Sequence, residues 1–146
     1  MSIFQSLSIN GSALTAQRLK LDVVSANIAN ANTTRGEFVN GKWVPYRRKM
    51  VELAAGTPST FDSYLKQELN PTGVRVNKIV ADQTPFKAVY DPSNPDSDGQ
   101  GYVMMPNVDV TKEMVDLMAT SRAYEANITA FNAGKTMLQK ALEIGK

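Results

Sequence analysis

The stretch Val110–Leu142, VTKEMVDLMATSRAYEANITAFNAGKTMLQKAL, reads as one long helix carrying two apolar seams on opposite faces. The first seam is Val110, Met114, Leu117, Ser121, Tyr124, Ile128, Phe131, Lys135, Leu138 and Leu142, in alternating steps of four and three, and eight of its ten positions are apolar. That is heptad spacing, the pattern of a helix packed along another helix. The second is Ala119, Ala123, Ala126, Ala130, Ala133, Met137, Ala141 and Ile144, with no polar interruption. At ~100° per residue the two stripes lie roughly 160° apart, so one flanking helix cannot cover both. Alanines let a second helix come close, while the larger side chains of the first seam call for wider knobs-into-holes packing. A helix at the centre of a globular bundle would also be two-faced, but the chain offers too few helices to build one. The pattern predicts a helix held between its own chain and its neighbours in an assembly.

Working outward, Asp109 after Pro106 is a helix N-cap, and from it the helix runs for roughly 35 residues, or ~50 Å at 1.5 Å per residue. A second helical pattern spans Ile3–Ala31, where Leu7, Leu14, Leu21 and Ile28 recur every seven residues with Val24 on their flank. Ala16, Leu19, Val23 and Ala26 line its far side, so this helix is two-faced as well. Asn10 and Gln17 interrupt its first seam, and Gly11 costs ~1 kcal/mol against alanine, which makes it marginal alone. Between the helices, Phe38-Val39-Asn40-Gly41-Lys42-Trp43-Val44 sets Asn-Gly between short apolar runs and predicts a hairpin with a type I′ turn. Met50–Ala54, Val74–Ala81 and Pro85–Tyr90 read as strands, residues 56–63 and 70–73 as loops, and residues 91–99 as a strand-free connector. The expected fold is mainly α with a small β insert, the long terminal helices pairing as an α-helical coiled coil. Its expected divisions are 1–34, 35–106 and 107–146.

Composition narrows the function. With 16 basic and 14 acidic residues the net charge is +2, too small and too dispersed for a nucleic-acid footprint. Histidine and cysteine are both absent, which removes the usual zinc sites, thiol nucleophiles, histidine triads and the commonest general base. No cofactor, metal site or small-molecule substrate is expected. The first Lys or Arg is Arg18, and Ser6, Ser8, Asn10 and Gly11 break the apolar positions before it, so no cleavable secretory signal is expected. No apolar run approaches the ~20 residues that span a bilayer.

Three stretches imitate chemical sites. Asn94, Asp96, Asp98 and Gly99 match the first half of a calcium loop, but Met105 stands where the bidentate glutamate belongs and Pro95 intrudes, leaving a solvated turn. Gly134-Lys135-Thr136 resembles the end of a phosphate loop, yet Thr129 replaces its leading glycine and the triplet lies within the heptads. Arg47, Arg48 and Lys49, with Trp43 and Tyr46 nearby, fit a solvated strand edge or a salt-bridge partner for a neighbouring subunit better than a nucleic-acid contact.

Ser25-Ala26-Asn27-Ile28-Ala29-Asn30-Ala31-Asn32-Thr33-Thr34 resembles the motif that closes the N-terminal helix in bacterial flagellar rod and hook proteins. Tyr46-Arg47-Arg48-Lys49, Gly101–Asp109, Met114–Met118, Ser121–Asn127 and Lys135–Leu138 also resemble the flagellar basal-body rod protein family, its proximal-rod members in particular. The resemblance implies a non-enzymatic structural subunit of the drive shaft crossing the periplasm, exported uncleaved by the flagellar type III apparatus. It implies partners in other copies of the chain, other rod proteins, the membrane-ring and export-gate base, and the export machinery. The inner rod layer would take residues 1–34 and 107–146. Expected assembly positions are Leu7, Leu14, Leu21, Val24 and Ile28 with the motif residues Asn27 and Asn30; Met114, Leu117, Tyr124, Ile128, Phe131, Leu138 and Leu142; and Ala119, Ala123, Ala126, Ala130 and Ala133. The competing readings are an intracellular coiled-coil adaptor and an enzyme built on carboxylates such as Asp91, Asp96 and Asp98.

Overall fold

The structure, a computed structural model, describes residues 3–55 and 73–144. Helix α1 (Ile3–Ala29) is followed by strands β1 (Glu37–Val39), β2 (Lys42–Val44), β3 (Lys49–Ala55), β4 (Val74–Ala81), β5 (Lys87–Tyr90) and β6 (Tyr102–Met105), and then by helix α2 (Val110–Ile144). The strands form three two-stranded pairs, β1 with β2, β3 with β4 and β5 with β6. The expected mainly helical fold with a small β insert is the one observed. The loops expected at 56–63 and 70–72 lie outside the described residues. No described helix is long and apolar enough to cross a membrane.

The contacts group the chain into two units, residues 1–21, 51–78 and 119–146 in one and residues 22–50 and 79–118 in the other. In the first, α1 and α2 run antiparallel: the Asn127 amide donates to Gln17 Oε1 at 3.0 Å, and Leu7 reaches Gly134 ten residues earlier on α1. A Cβ at Gly134 would sit 3.2 Å from Leu7 Cδ2, a tight approach that the glycine relieves. On another side of α1, Ser12 Oγ accepts the Val74 N–H at 3.1 Å and fills the space a Cβ on Gly73 would need. The far face of α1 is therefore covered in part by its own chain.

The second unit takes in the last turns of α1, from Asp22 on. Asn30 closes the last turn, its amide donating to Ala26 O at 2.9 Å while its backbone N–H does the same at 3.1 Å. Thr33 O then accepts from Tyr46 N, and Val44 O accepts from Gly36 N. Gly36 is required by this approach, since a Cβ there would lie 2.6 Å from Tyr46 N. The hairpin forms as expected. Phe38 faces Trp43 across β1 and β2, and the turn residues Asn40 and Gly41 take φ of +52° and +80°, the conformation a type I′ turn demands.

Strand β6 is the element that patterning missed. Lys87–Tyr90 pairs antiparallel with Tyr102–Met105, with Tyr90 opposite Tyr102. Val103 is buried and Met105 half-buried while Tyr102 and Met104 are exposed, but all four residues are apolar, so this alternation does not show in the sequence. The 91–99 connector is strand-free as expected, but it is more than a solvated turn. Asp91, Asn94 and Asp98 each cap a backbone N–H within it, and Asp96 accepts from Thr34 Oγ1 and from Arg35 Nε, both at 2.7 Å. Helix α2 begins as its cap predicts: Asp109 Oδ1 accepts from Thr111 N at 3.0 Å and Lys112 N at 3.3 Å.

Candidate assembly surface

Asn27 is the residue around which the second unit is built. It is 1 % exposed, and its amide uses all four hydrogen-bonding positions. Its Nδ2 donates to Lys49 O at 2.8 Å and to Glu113 Oε2 at 2.9 Å, while its Oδ1 accepts from Lys49 N at 2.9 Å and from the Tyr46 hydroxyl at 3.0 Å. One side chain thus ties the end of α1 to the start of β3 and to the first turn of α2. Leu or Ala at this position would leave a backbone donor, a backbone acceptor and a carboxylate short of partners in a dry site.

Arg48 carries the network on. Its Nε donates to Glu113 Oε1 at 2.6 Å, and its terminal nitrogens lie 3.3 Å from Asp82 Oδ2 and 3.9 Å from Asp116 Oδ2. Glu113 is buried while Arg48 keeps a small exposed edge, so the pair is held away from bulk water. Burial works to lower the Arg48 pKa, but the hydrogen bond and charge of Glu113, then those of Asp82, outweigh it and hold the guanidinium above its ordinary value. Burial, followed by the Glu113 charge, raises the Tyr46 phenol. The Asp82 carboxyl is held below its ordinary value by hydrogen bonds from the backbone and side chain of Thr84, with Arg48 adding to them. Asn107 completes the network, its Oδ1 accepting from Arg48 N and its amide donating to Asp82 O and to Thr84. Arg48 is therefore not a solvated edge residue: it is half-buried and paired within its own chain.

The sequence points to Asn27 and to the stretch Tyr46–Lys49, but not to their meeting with Glu113 and Asp82. Glu113, Asp82 and Asn107 carry no local signal, because a first-turn glutamate normally sits on the surface and each of these residues meets Arg48 across a long stretch of chain. The traces were Tyr46-Arg47-Arg48-Lys49 and the stretch Gly101–Asp109, which holds Asn107, both within the resemblance to the family.

The surface of α2 follows from what its own chain covers. Its covered side interleaves half-buried Leu117, Tyr124, Phe131 and Leu138 with Glu113, Thr120, Asn127 and Gly134. The first row belongs to the predicted seam; the second does not. Met114, Ile128 and Leu142, which the spacing put in that seam, remain 50 %, 37 % and 73 % exposed. Ala119, Ala123, Ala126, Ala130 and Ala133 are all exposed, with Met137 and Ile144 continuing their stripe. That stripe is centred roughly 110° around the helix from the covered side. On α1, Val24 and Asn27 are buried, and Leu7, Leu14, Leu21, Ile28 and Asn30 are half-buried. Of the two helices, α2 therefore carries the larger open apolar surface, while the strands add exposed Phe38, Trp43, Ile79 and Tyr90 of their own.

Comparison with known proteins returns one family. Residues 7–35 match the model described as flagella basal body rod protein, and residues 100–144 match that of the flagellar basal body rod FlgEFG protein C-terminal region. The chain is 55 % identical to the flagellar basal-body rod protein FlgC of Bacillus subtilis (strain 168), over all of both chains. It is 42 % identical to the FlgC protein of Borreliella burgdorferi, over 99 % of this chain and 98 % of that one. It is 40 % identical to the FlgC protein of Escherichia coli O6:H1, again over the whole of both.

Proposed function

Because the chain belongs to the flagellar basal-body rod protein family, we propose that it is a structural subunit of the proximal rod, polymerising helically through its terminal helices to transmit torque. The observation that carries this reading is the open apolar face of α2: along a 35-residue helix, the alanine stripe and Met114, Ile128 and Leu142 are left uncovered by the chain itself. A face of that kind in a relative of rod proteins suits contact with further copies and with other rod proteins. When one patch docks on a different patch of the next copy and the rotation does not close, a helical tube results. Torque then passes through packed helices.

In this reading residues 1–34 and 107–146 form the inner layer and residues 35–106 the insert between them. The Leu7–Ile28 and Leu117–Leu138 rows serve the pairing within the subunit, and the alanine row serves its neighbours. Asn30 fixes where α1 ends, and Asn27, from beneath the surface, ties that end to the start of α2. Delivery is by the flagellar type III export apparatus, with the membrane-ring and export-gate base as the neighbours below. The role is mechanical rather than catalytic: Asp91 and Asp98 are occupied in capping their own turns and Asp96 in holding Thr34 and Arg35.

Electron microscopy and composition analysis of detergent-extracted basal bodies from a tagged strain test the assignment. The tagged chain is expected in the rod, and its recovery only in the soluble cytoplasmic fraction would favour an adaptor instead.

A further inference from the structure

The buried rows and the apolar rows of α2 are not the same. Leu117, Tyr124, Phe131 and Leu138 could complete a heptad seam with either of two neighbouring rows. One is Glu113, Thr120, Asn127 and Gly134; the other, one residue further round, is Met114, Ser121, Ile128 and Lys135. Exchanging them rotates the helix by roughly 50° about its axis. The second row carries more apolar surface, so burial alone favours it. The chain uses the first: Glu113 is 1 % and Thr120 5 % exposed, against 50 % for Met114 and 37 % for Ile128.

Polar contacts account for the choice. Asn27 meets Glu113 in one unit, Gln17 meets Asn127 in the other, and Gly134 makes room for Leu7. Rotation would set these amides and the Glu113 carboxylate against apolar neighbours or strip them of partners, which penalises the alternative more than it penalises the observed state. We propose that this polar row sets the rotation of α2, and with it the angle at which the alanine stripe and the Met114/Ile128 row are presented to neighbouring copies. The last step rests on the rod reading above.

The absence of cysteine allows a direct test with paired cysteines in the full chain. Leu7→Cys with Gly134→Cys reports the observed rotation, and Leu7→Cys with Lys135→Cys the rotated one. In the otherwise native chain the first pair should close on oxidation in preference to the second. Adding Gln17→Leu and Asn127→Leu should raise closure of the second pair relative to the first about tenfold, the scale of one side-chain hydrogen bond. The swap Gln17→Asn with Asn127→Gln should keep the native ratio. Circular dichroism identifies any variant that has lost helix, and Asn127→Ala then carries the comparison. An unchanged ratio with helices intact overturns the proposal. In cells the leucine pair should be exported yet fail to restore swimming; normal swimming with a shifted ratio overturns the link from rotation to assembly. Absence of the native chain from purified basal bodies would instead count against the rod reading and leave the rotation result standing.

Discussion

Arg48 and Glu113 stand 65 positions apart in the sequence and 2.6 Å apart in the fold. Removing one partner strands the other: Arg48→Met leaves the Glu113 carboxylate dry and one cation short, which should cost about 3–5 kcal/mol in urea unfolding of the purified chain. Arg48→Met with Glu113→Met removes both charges and should recover part of that loss, because an ion pair replaced by apolar side chains is near neutral. Strictly additive losses would show that the two residues do not act as a pair. Acid should also loosen this unit. Hydrogen bonds from Arg35 and then Thr34 hold the Asp96 carboxyl below its ordinary value, and Thr84 with Arg48 does the same for Asp82. A carboxyl depressed in the folded state adds stability that is full above its unfolded pKa, near ~4, and is lost as pH falls through the folded one. The urea midpoint should therefore drop as pH falls below ~4, with a shallower dependence in Asp96→Asn. A slope identical to that of the native chain would remove Asp96 from the account.

At the scale of elements, what was legible in the sequence is what neighbours in the chain decide. Asp109 caps α2, Asn40-Gly41 turns the hairpin, and 74–81 is a strand, each for reasons that lie within a few residues. The packing of α2 on its own chain was half legible. Leu117 to Leu138 is the row that packs, as heptad counting indicates, and the alanine row is left exposed. The polar row that completes the packing was hidden, since Glu113, Thr120, Asn127 and Gly134 look like solvent positions until their partners on α1 are known. Strand β6 escaped because its four apolar residues show no alternation in the sequence and its order comes from pairing with β5. The alanine stripe gives the test at this scale. Ala126→Leu with Ala130→Leu adds bulk on exposed positions while keeping helix propensity, so the free chain should unfold within ~0.5 kcal/mol of the native one. If another helix packs closely there, the variant is made and exported but forms no rod. Normal motility would show that the stripe faces only water.

For the whole molecule, the described residues leave apolar surface open where a chain that worked alone would cover it. Val115 and Met118 on α2 are each 56 % exposed, and α2 ends in residues 139–144 with every side chain exposed. Helix this thinly supported is held by its own hydrogen bonds and by propensity alone, which is marginal in water over so few turns. Its last turns should therefore open locally in the free subunit at a cost far below global unfolding. Assembly changes the balance, because a neighbour seated on Met137, Ala141 and Ile144 would bury apolar area and take the backbone out of exchange. Hydrogen exchange can compare the purified chain with isolated rods. Residues 139–144 should exchange rapidly in the first and slowly in the second, whereas the amides around Asn27 and Glu113 should be protected in both. Equal protection of 139–144 in the two samples would mean that the end of α2 gains nothing from its neighbours, and the contact would then have to lie nearer Ala119 and Ala126.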